Sequence, residues 1–338
     1  MQIEQVARSM GSGYKTNVVY GGRSGSQDRR DIATRPAILV GTPGRIADHL
    51  ERKAFTTANI KTLVLDEFDK SLEIGFENEM IAILDKLISV SKKILTSATE
   101  AVAIPAYTQL NDPTHINFLA TSSSKLKEQL VVAPRGEKLT TLGELLQHIG
   151  QVPGVIFCNF KDTIGGVAQF LSEQHISFGV FYGGLEQKDR EGALIKFRNG
   201  THQLLLATDL AARGIDIPEI GFIIHYELPQ REEEYIHRNG RTARMDAKGT
   251  AYILGEKGQE VPEYLPEVEE IQPQGDRKIQ SSEWTTLFIS GGKKDKISKG
   301  DVAGLLIKQG GLAPYEVGVI EAKLDCTFVA VKKEKAKQ

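Results

Sequence analysis

Three acids close a short apolar run in "TLVLDEFD", residues 62–69: Asp66, Glu67 and Asp69. Carboxylates at the carboxyl end of a buried strand can hold a metal-bound phosphate. In a Walker-B-type site the first acid binds Mg²⁺ through water and the next orients or deprotonates the attacking water. Asp66 and Glu67 suit those roles, yet the same letters equally suit the N-cap of a helix. "KKILTSATE" ends on Ser97 and Thr99, two hydroxyls able to join a hydrogen-bond network, although a helix cap is the commoner use. "VGTPGRI" sets Thr42 and Arg45 around a tight turn at a helix start, a geometry that suits a nucleic-acid phosphate and is also an ordinary turn. "LLLATDLAARGIDIPEI" ends a buried run in Thr208 and Asp209 and then presents Arg213, Gly214 and Asp216. "YIHRNGRTARM" brings His237, Arg238, Arg241 and Arg244 close together. Arginines so spaced are poor core material, because an unpaired buried guanidinium is expensive. They suit a clamp on a transferring phosphoryl group, against the alternative of a solvated basic helix.

These groups need a scaffold that collects them. Residues 1–117 alternate strand and helix patterns: "TNVVYGG", "AILVG", "TLVLDEFD" and "KKILTSATE" are strand-like, and "ENEMIAILDKLI" is an amphipathic helix. Residues 118–255 repeat the rhythm, with strands in "GVIFCNF", "SFGVFYGG", "QLLLATD", "FIIHYELP" and "GTAYIL". Helical stretches such as "KDTIGGVAQFLSEQ" and "QKDREGALIKFRNG" separate them. Strands alternating with helices imply βαβ units and parallel sheets covered on both faces. Two such halves, each with loops at its strand ends, form a cleft for a ligand. Residues 256–282 carry three prolines and clustered glutamates and read as a linker. Residues 283–338 form a smaller α+β unit that holds ten lysines against six acids from Thr285 onward, the locally basic part of the chain.

Composition narrows the classes. A net charge of −2 over 338 residues gives no global sign of nucleic-acid binding, so any basic surface must be local. Cys158 and Cys326 lie far apart without metal-ligand spacing, which argues against a zinc site or a disulfide scaffold. The first residues, "MQIEQVARSMGSG", lack the pattern of a signal peptide, and no run approaches a membrane span. A cytoplasmic protein with no membrane contact is expected.

The order of the motifs carries more than any one of them. "GG" (Gly21-Gly22), "TPGR", "DEFD", "SAT", "VIFCNF", "QKDR", "ATDLAARGID" and "HRNGRTAR" resemble the DEAD-box RNA helicases, motif by motif, over residues 1 to 255. The resemblance implies two RecA-like parallel-sheet domains that close on ATP and bend single-stranded RNA or a short duplex across both. It assigns Asp66 and Glu67 to Mg²⁺ and water, and Asp69 and His237 to coupling with Ser97 and Thr99. Arg241 and Arg244 become arginine fingers, while Gly214 and Asp216 serve ATP, Asp216 at the ribose. RNA phosphates would lie near Gly22, Thr42, Arg45, Arg190 and Thr208. Phe68 stands where the family usually has alanine. The tail resembles the RNA-binding domain of the DbpA subfamily, a variant of the RRM fold used there on large-subunit ribosomal RNA. Its aromatic platform is weak: Phe288 and Phe328 occupy key strand positions, but Cys326 stands where a stacking aromatic is usual.

No G-x-x-x-x-G-K-[ST] phosphate loop occurs in the sequence. In the family that loop and the Q motif precede the segment at which this chain begins. The first RecA-like domain is therefore expected to be incomplete, and the RRM-like domain to be partial, lacking a second helix and fourth strand. The expectation is an ATP- and Mg²⁺-dependent RNA helicase, monomeric, acting on large-subunit ribosomal RNA. The alternative is a catalytically inactive RNA-binding fragment built from the second RecA-like domain and the partial RRM.

Overall fold

The computed structural model describes residues 2–68, 75–97, 104–110, 112–118, 126–209, 220–242, 249–275 and 282–337. Two compact units divide the chain, Met1–Ser123 and Ser124–Gln338.

The first unit opens with α1 (Gln2–Ser9) and pairs its strands in parallel. β1 (Thr16–Val19) lies beside β2 (Ile38–Gly41), with α2 (Gly25–Ala33) between them in sequence. After α3 (Pro43–Glu51), β3 (Thr62–Leu65) lies beside β4 (Lys92–Leu95), joined through α4 (Glu77–Lys86). Pro43 opens α3, where its missing N–H would have had no helical partner. The apolar stripe of α3 packs Leu50 against Ile83 and Leu87, with Ile46, Phe55 and Leu63 around them. This core is thin. Val64 and Ile94 are neighbours across the β3–β4 ladder, yet they remain 54% and 37% exposed.

The second unit is built on a seven-stranded parallel sheet, ordered β11-β5-β10-β9-β6-β8-β7. Its strands are β5 (Leu126–Ala133), β6 (Gly154–Phe157), β7 (Phe178–Phe181), β8 (Leu204–Ala207), β9 (Phe222–His225), β10 (Gly249–Glu256) and β11 (Glu269–Glu270). Helices α5 (Lys138–Ile149), α6 (Lys161–Glu173), α7 (Gln187–Arg198) and α8 (Glu232–Asn239) connect them. Successive residues of β6 face opposite ways. Ile156 and Cys158 join a core with Leu142, Leu145 and Val167, whereas Val155 and Phe157 join one with Phe197 and Leu205. Burial on both faces explains why the central strands read as unbroken apolar runs. Gly154 is needed at the start of β6, since a Cβ there would lie 2.3 Å from the Phe222 ring.

Two features depart from the sequence reading. β5 was not foreseen, although it pairs along its whole length with β10. The stretch expected as a linker carries β11, which adds to the edge of β5, and Tyr264, whose hydroxyl donates to the Pro229 carbonyl at 2.5 Å.

The carboxyl-terminal part is a three-stranded antiparallel sheet, ordered β12 (Trp284–Ile289), β14 (Thr327–Lys332), β13 (Val317–Ala322). Ser298 and Asp301 form a capping box that starts α9 (Lys299–Gly304), which runs on as a π-helical turn over Leu305–Gln309. One sheet face buries Leu287, Ile289, Val329 and Val331 with Val302 and Leu312. By strand alternation, Trp284, Thr286 and Phe288 share the opposite face with Phe328, Ala330 and Lys332.

Candidate functional site

Asp66 and Glu67 follow the carboxyl end of β3, as the acid run implied, and Thr96 at the end of β4 organises them. Its hydroxyl donates to Asp66 Oδ1 at 2.5 Å and accepts from the Glu67 N–H at 3.3 Å. The Phe68 N–H donates to the Thr96 carbonyl at 3.1 Å, so the acid turn is laced to the neighbouring strand. Glu67 has φ +48, a left-handed conformation that is costly for a residue with a Cβ. Among the described residues no three or more His, Cys, Asp or Glu side chains converge as a metal cage. Mg²⁺ needs none, because it is held by one or two carboxylates, phosphate oxygens and retained waters. Asp66, oriented by the Thr96 hydroxyl, fits that kind of ligand. Ser97 follows directly on Thr96 and is half-buried. Asp69 and Thr99 lie outside the described residues.

Gly22, Thr42 and Arg45 are brought together. Gly22 takes φ +83 in the turn after β1, and Thr42 is the N-cap of α3. Arg45 reaches back from α3: its Nη2 donates to the Arg23 carbonyl at 3.2 Å, and its Nε donates to Asp28 Oδ2 at 2.7 Å. Asp28 is fully buried, with His49 Nε2 3.2 Å away and Arg23 Nη1 3.4 Å away. Asp28 was missed in the sequence, where "GSQDRRDIA" reads as a polar helix and nothing marks one acid as internal. A buried carboxylate ringed by three basic side chains fixes the orientation of two arginines beside the Gly21-Gly22 turn.

In the second unit the hub is Arg238, one of the arginines taken as poor core material. Its side chain is 1% exposed and over-satisfies the usual objection to burial. It donates two hydrogen bonds of 2.6 Å to the two oxygens of Asp209, one of 2.6 Å to the Glu227 carbonyl and one of 2.7 Å to Asn159 Oδ1. Its guanidinium also stands 5.1 Å over the Phe157 ring. Glu227 in turn accepts from the Asn159 N–H at 2.7 Å and from Thr163 Oγ1 at 3.1 Å. The carboxyl ends of β6, β8 and β9 are thereby tied to α8, which carries His237. This is the rim at which ligands bind in parallel sheets. Burial pushes the Cys158 thiol at this rim up to about 12, and Glu227 adds to the effect.

α8 is anchored from below as well. Glu128 on β5 accepts from the Tyr235 hydroxyl at 2.5 Å and from Asn239 Nδ2 at 3.0 Å, and Asn239 Oδ1 meets His225 Nε2 at 2.9 Å. Burial, with the Arg238 charge, brings His225 down to about 3, so its ring is neutral. Arg241 follows α8 and is 9% exposed, and the hydroxyl of Thr242 next to it donates to the Ile220 carbonyl at 2.5 Å. Thr208 is placed beside β7 by its N–H, which donates to the Phe181 carbonyl at 3.3 Å, and Arg190 sits in the first turn of α7. Gly214, Asp216 and Arg244 lie outside the described residues. The structure thus gathers Thr208 and His237 through the Asp209–Arg238 clasp. Gly22, Thr42 and Arg45 form a separate group in the first unit, as do Asp66, Glu67 and Ser97.

Three family models match the chain in series: DEAD/DEAH box helicase over residues 1–105, helicase conserved C-terminal domain over 137–246, and DbpA RNA binding domain over 286–338. The ATP-dependent RNA helicase DbpA of Escherichia coli is 32% identical over 324 residues, covering 92% of this chain and 71% of that protein. The Bacillus subtilis protein of the same name is 30% identical over 353 residues, covering 94% and 73%. S. cerevisiae Dbp5 bound to RNA and ADP BeF3 shares the fold, with a TM-score of 0.66 at 24% identity over 76% of this chain and 68% of that one. Among the described residues, no helix is long and apolar enough to cross a membrane.

Proposed function

Because the chain belongs to the DEAD/DEAH-box family of ATP-dependent RNA helicases, in its DbpA branch, we propose that its RNA is that of the large ribosomal subunit. In this reading it acts during subunit assembly, in the cytoplasm and as a monomer. The observation that carries the reading is the tail: a lysine-rich sheet domain, matched by the DbpA RNA-binding model, that keeps Phe288 63% exposed beside Phe328. An exposed Phe288, backed by the half-buried Phe328 and set among lysines, suits bases that stack while phosphates are neutralised.

Asp66 would hold Mg²⁺ through water and Glu67 would orient the attacking water. When bound, the metal would neutralise charge on the phosphates of ATP. Arg241 and Arg244 stabilise the γ-phosphoryl group, and Gly214 and Asp216 hold the nucleotide. Asp69 and His237 couple to Ser97 and Thr99. Gly22, Thr42, Arg45, Arg190 and Thr208 grip the RNA backbone, Arg45 being kept in place by Asp28. The clasp of Asp209 by Arg238 supports this reading, since it sets the RNA-side strand end and the helix of His237 on one rim.

Binding titrations with fragments that tile the large-subunit RNA test the proposal. One fragment should bind at least about tenfold tighter than unrelated RNA of equal length, a difference of about 1.4 kcal/mol. Equal affinity for all fragments overturns the ribosomal assignment. Affinity that does not fall as salt rises overturns the phosphate contacts.

A further inference from the structure

The face of the tail sheet opposite α9 is not wholly open. Part of it rests on α7 and on the corner that follows. Arg198 Nη2 lies 2.8 and 2.9 Å from the two oxygens of Glu321 on β13, and Thr201 Oγ1 lies 2.7 Å from Thr286 Oγ1 on β12. The Ser282 hydroxyl donates to the Gly200 carbonyl. Gly200 has φ +74, and a Cβ there would come within 3.5 Å of the Trp284 ring. Two turns farther up α7, Glu191 meets Lys323 at 4.0 Å, and Lys323 also lies 3.7 Å from Glu321.

Glu191 and Arg198 are seven residues apart and so lie on one face of the helix. With Lys323 and Glu321 they form a line of alternating charge, Glu191–Lys323–Glu321–Arg198, and all four side chains are partly buried, at 31, 32, 18 and 27% exposure. Isolated surface pairs contribute little, but a networked, partly buried line selects one register, because sliding it sets like charges opposite each other.

That register has a consequence for the rest of the tail. The Lys293 and Lys294 N–H groups each donate at 2.8 Å to the Lys323 and Leu324 carbonyls, so the loop of residues 293–296 is stitched to the end of β13. This end carries the exposed lysines 293, 294 and 296 and the Phe288–Phe328 pair, whose ring centroids are 5.4 Å apart. Lys323 places it beside Glu191, the residue next to Arg190.

We propose that the charge line on α7 holds the tail in one orientation, so that Lys293, Lys294, Lys296 and the Phe288–Phe328 pair continue the RNA path that begins at Arg190. A single RNA strand then runs from the helix onto the tail without a break. The inference rests on the RNA reading given above, and adds the surface and the contact that orients it.

Charge reversal in the full chain tests it, with oligouridylates of about twelve and about four nucleotides as probes. Arg198→Glu or Glu321→Arg alone should weaken the longer oligonucleotide at least about tenfold, because two sites in fixed register become two sites on a tether. The shorter one should change less than about twofold, and the double reversal Arg198→Glu with Glu321→Arg, made with Lys323→Gln so that no lysine faces the new arginine, should restore the longer. Hydrogen exchange accompanies the titrations. Each single reversal should speed exchange at Thr201 and Thr286, while β8 and β14 keep their protection. Where a reversal strips protection from β14, Arg198→Gln or Glu321→Gln replaces it and is read by the ratio of the two affinities alone. An unchanged ratio of the two affinities, or a double reversal that restores nothing, overturns the inference and leaves the RNA reading intact. Absence of salt-dependent binding by the unaltered chain overturns both.

Discussion

Arg238 shows how one residue can be both buried cation and structural rivet. Its four hydrogen bonds and its place over Phe157 exchange solvation for fixed dipoles and one carboxylate. Removing one partner of such a pair leaves the other charge uncompensated. Arg238→Met should therefore cost about 3–5 kcal/mol of stability, measured by urea unfolding. Arg238→Lys should recover only part of it, since an ammonium cannot match both oxygens of Asp209. A loss under about 1 kcal/mol would mean the clasp is not structural. The spacing of "HRNGRTAR" pointed to an arginine cluster suited to phosphate, but not to which member was internal. One signal was present: Arg238 falls three residues after Tyr235, on the same buried face of α8. Asp28 gave no such signal, because its burial depends on His49 and Arg45, which reach it from α3.

At the scale of elements, α8 is held by a polar chain running through β5 and β9 rather than by apolar packing alone. His225, at the end of β9, titrates below its ordinary value of 6.5, at about 3, chiefly because burial disfavours the charged ring. The unfolded chain accepts a proton that the folded one refuses. The stability tied to the neutral ring is thus complete above about pH 6.5 and is lost progressively as pH falls toward about 3. Each such histidine adds a slope of about 1.4 kcal/mol per pH unit inside that window. His202, brought by burial to about 4, adds a second slope of the same sign. Urea unfolding between about pH 6 and pH 5 should show this decline, and His225→Leu should remove roughly one histidine's share of it. An unaltered slope in that variant would show that the ring is protonated in the folded state. Most strands were legible because burial on both faces makes them continuous apolar runs. β5 was not, since it begins Leu-Lys-Glu-Gln and buries only alternate positions. β11 escaped for another reason: it is two glutamates at a sheet edge, held by backbone pairing with β5 and by Glu269 against Gln129 and Lys127, partners that lie more than a hundred residues away in sequence.

At the scale of the molecule the two units differ in how well they are closed. β6, β8 and β9 are buried at every position, whereas β3 and β4 alternate between exposed and half-buried. Residues 124–338 should accordingly unfold in one sharp thermal transition, and residues 1–123 alone should give a broad one. A sharp transition in the shorter piece would show that its thin core suffices. The order of motifs made the family readable in the sequence, and several of them follow strand ends: Gly21-Gly22 after β1, Asp66-Glu67 after β3 and Thr208-Asp209 after β8. The seating of the tail was not readable, since it depends on four charges spread from Glu191 to Lys323 that carry no local pattern. That seating has a spectroscopic corollary. Trp284 is the chain's single tryptophan, and it lies between the Gly200 corner and the Lys332 ammonium, 4.7 Å from its ring. The intrinsic fluorescence of the whole protein is therefore a native lamp fixed at the joint, brightening or reddening as the tail lifts, with no dye attached.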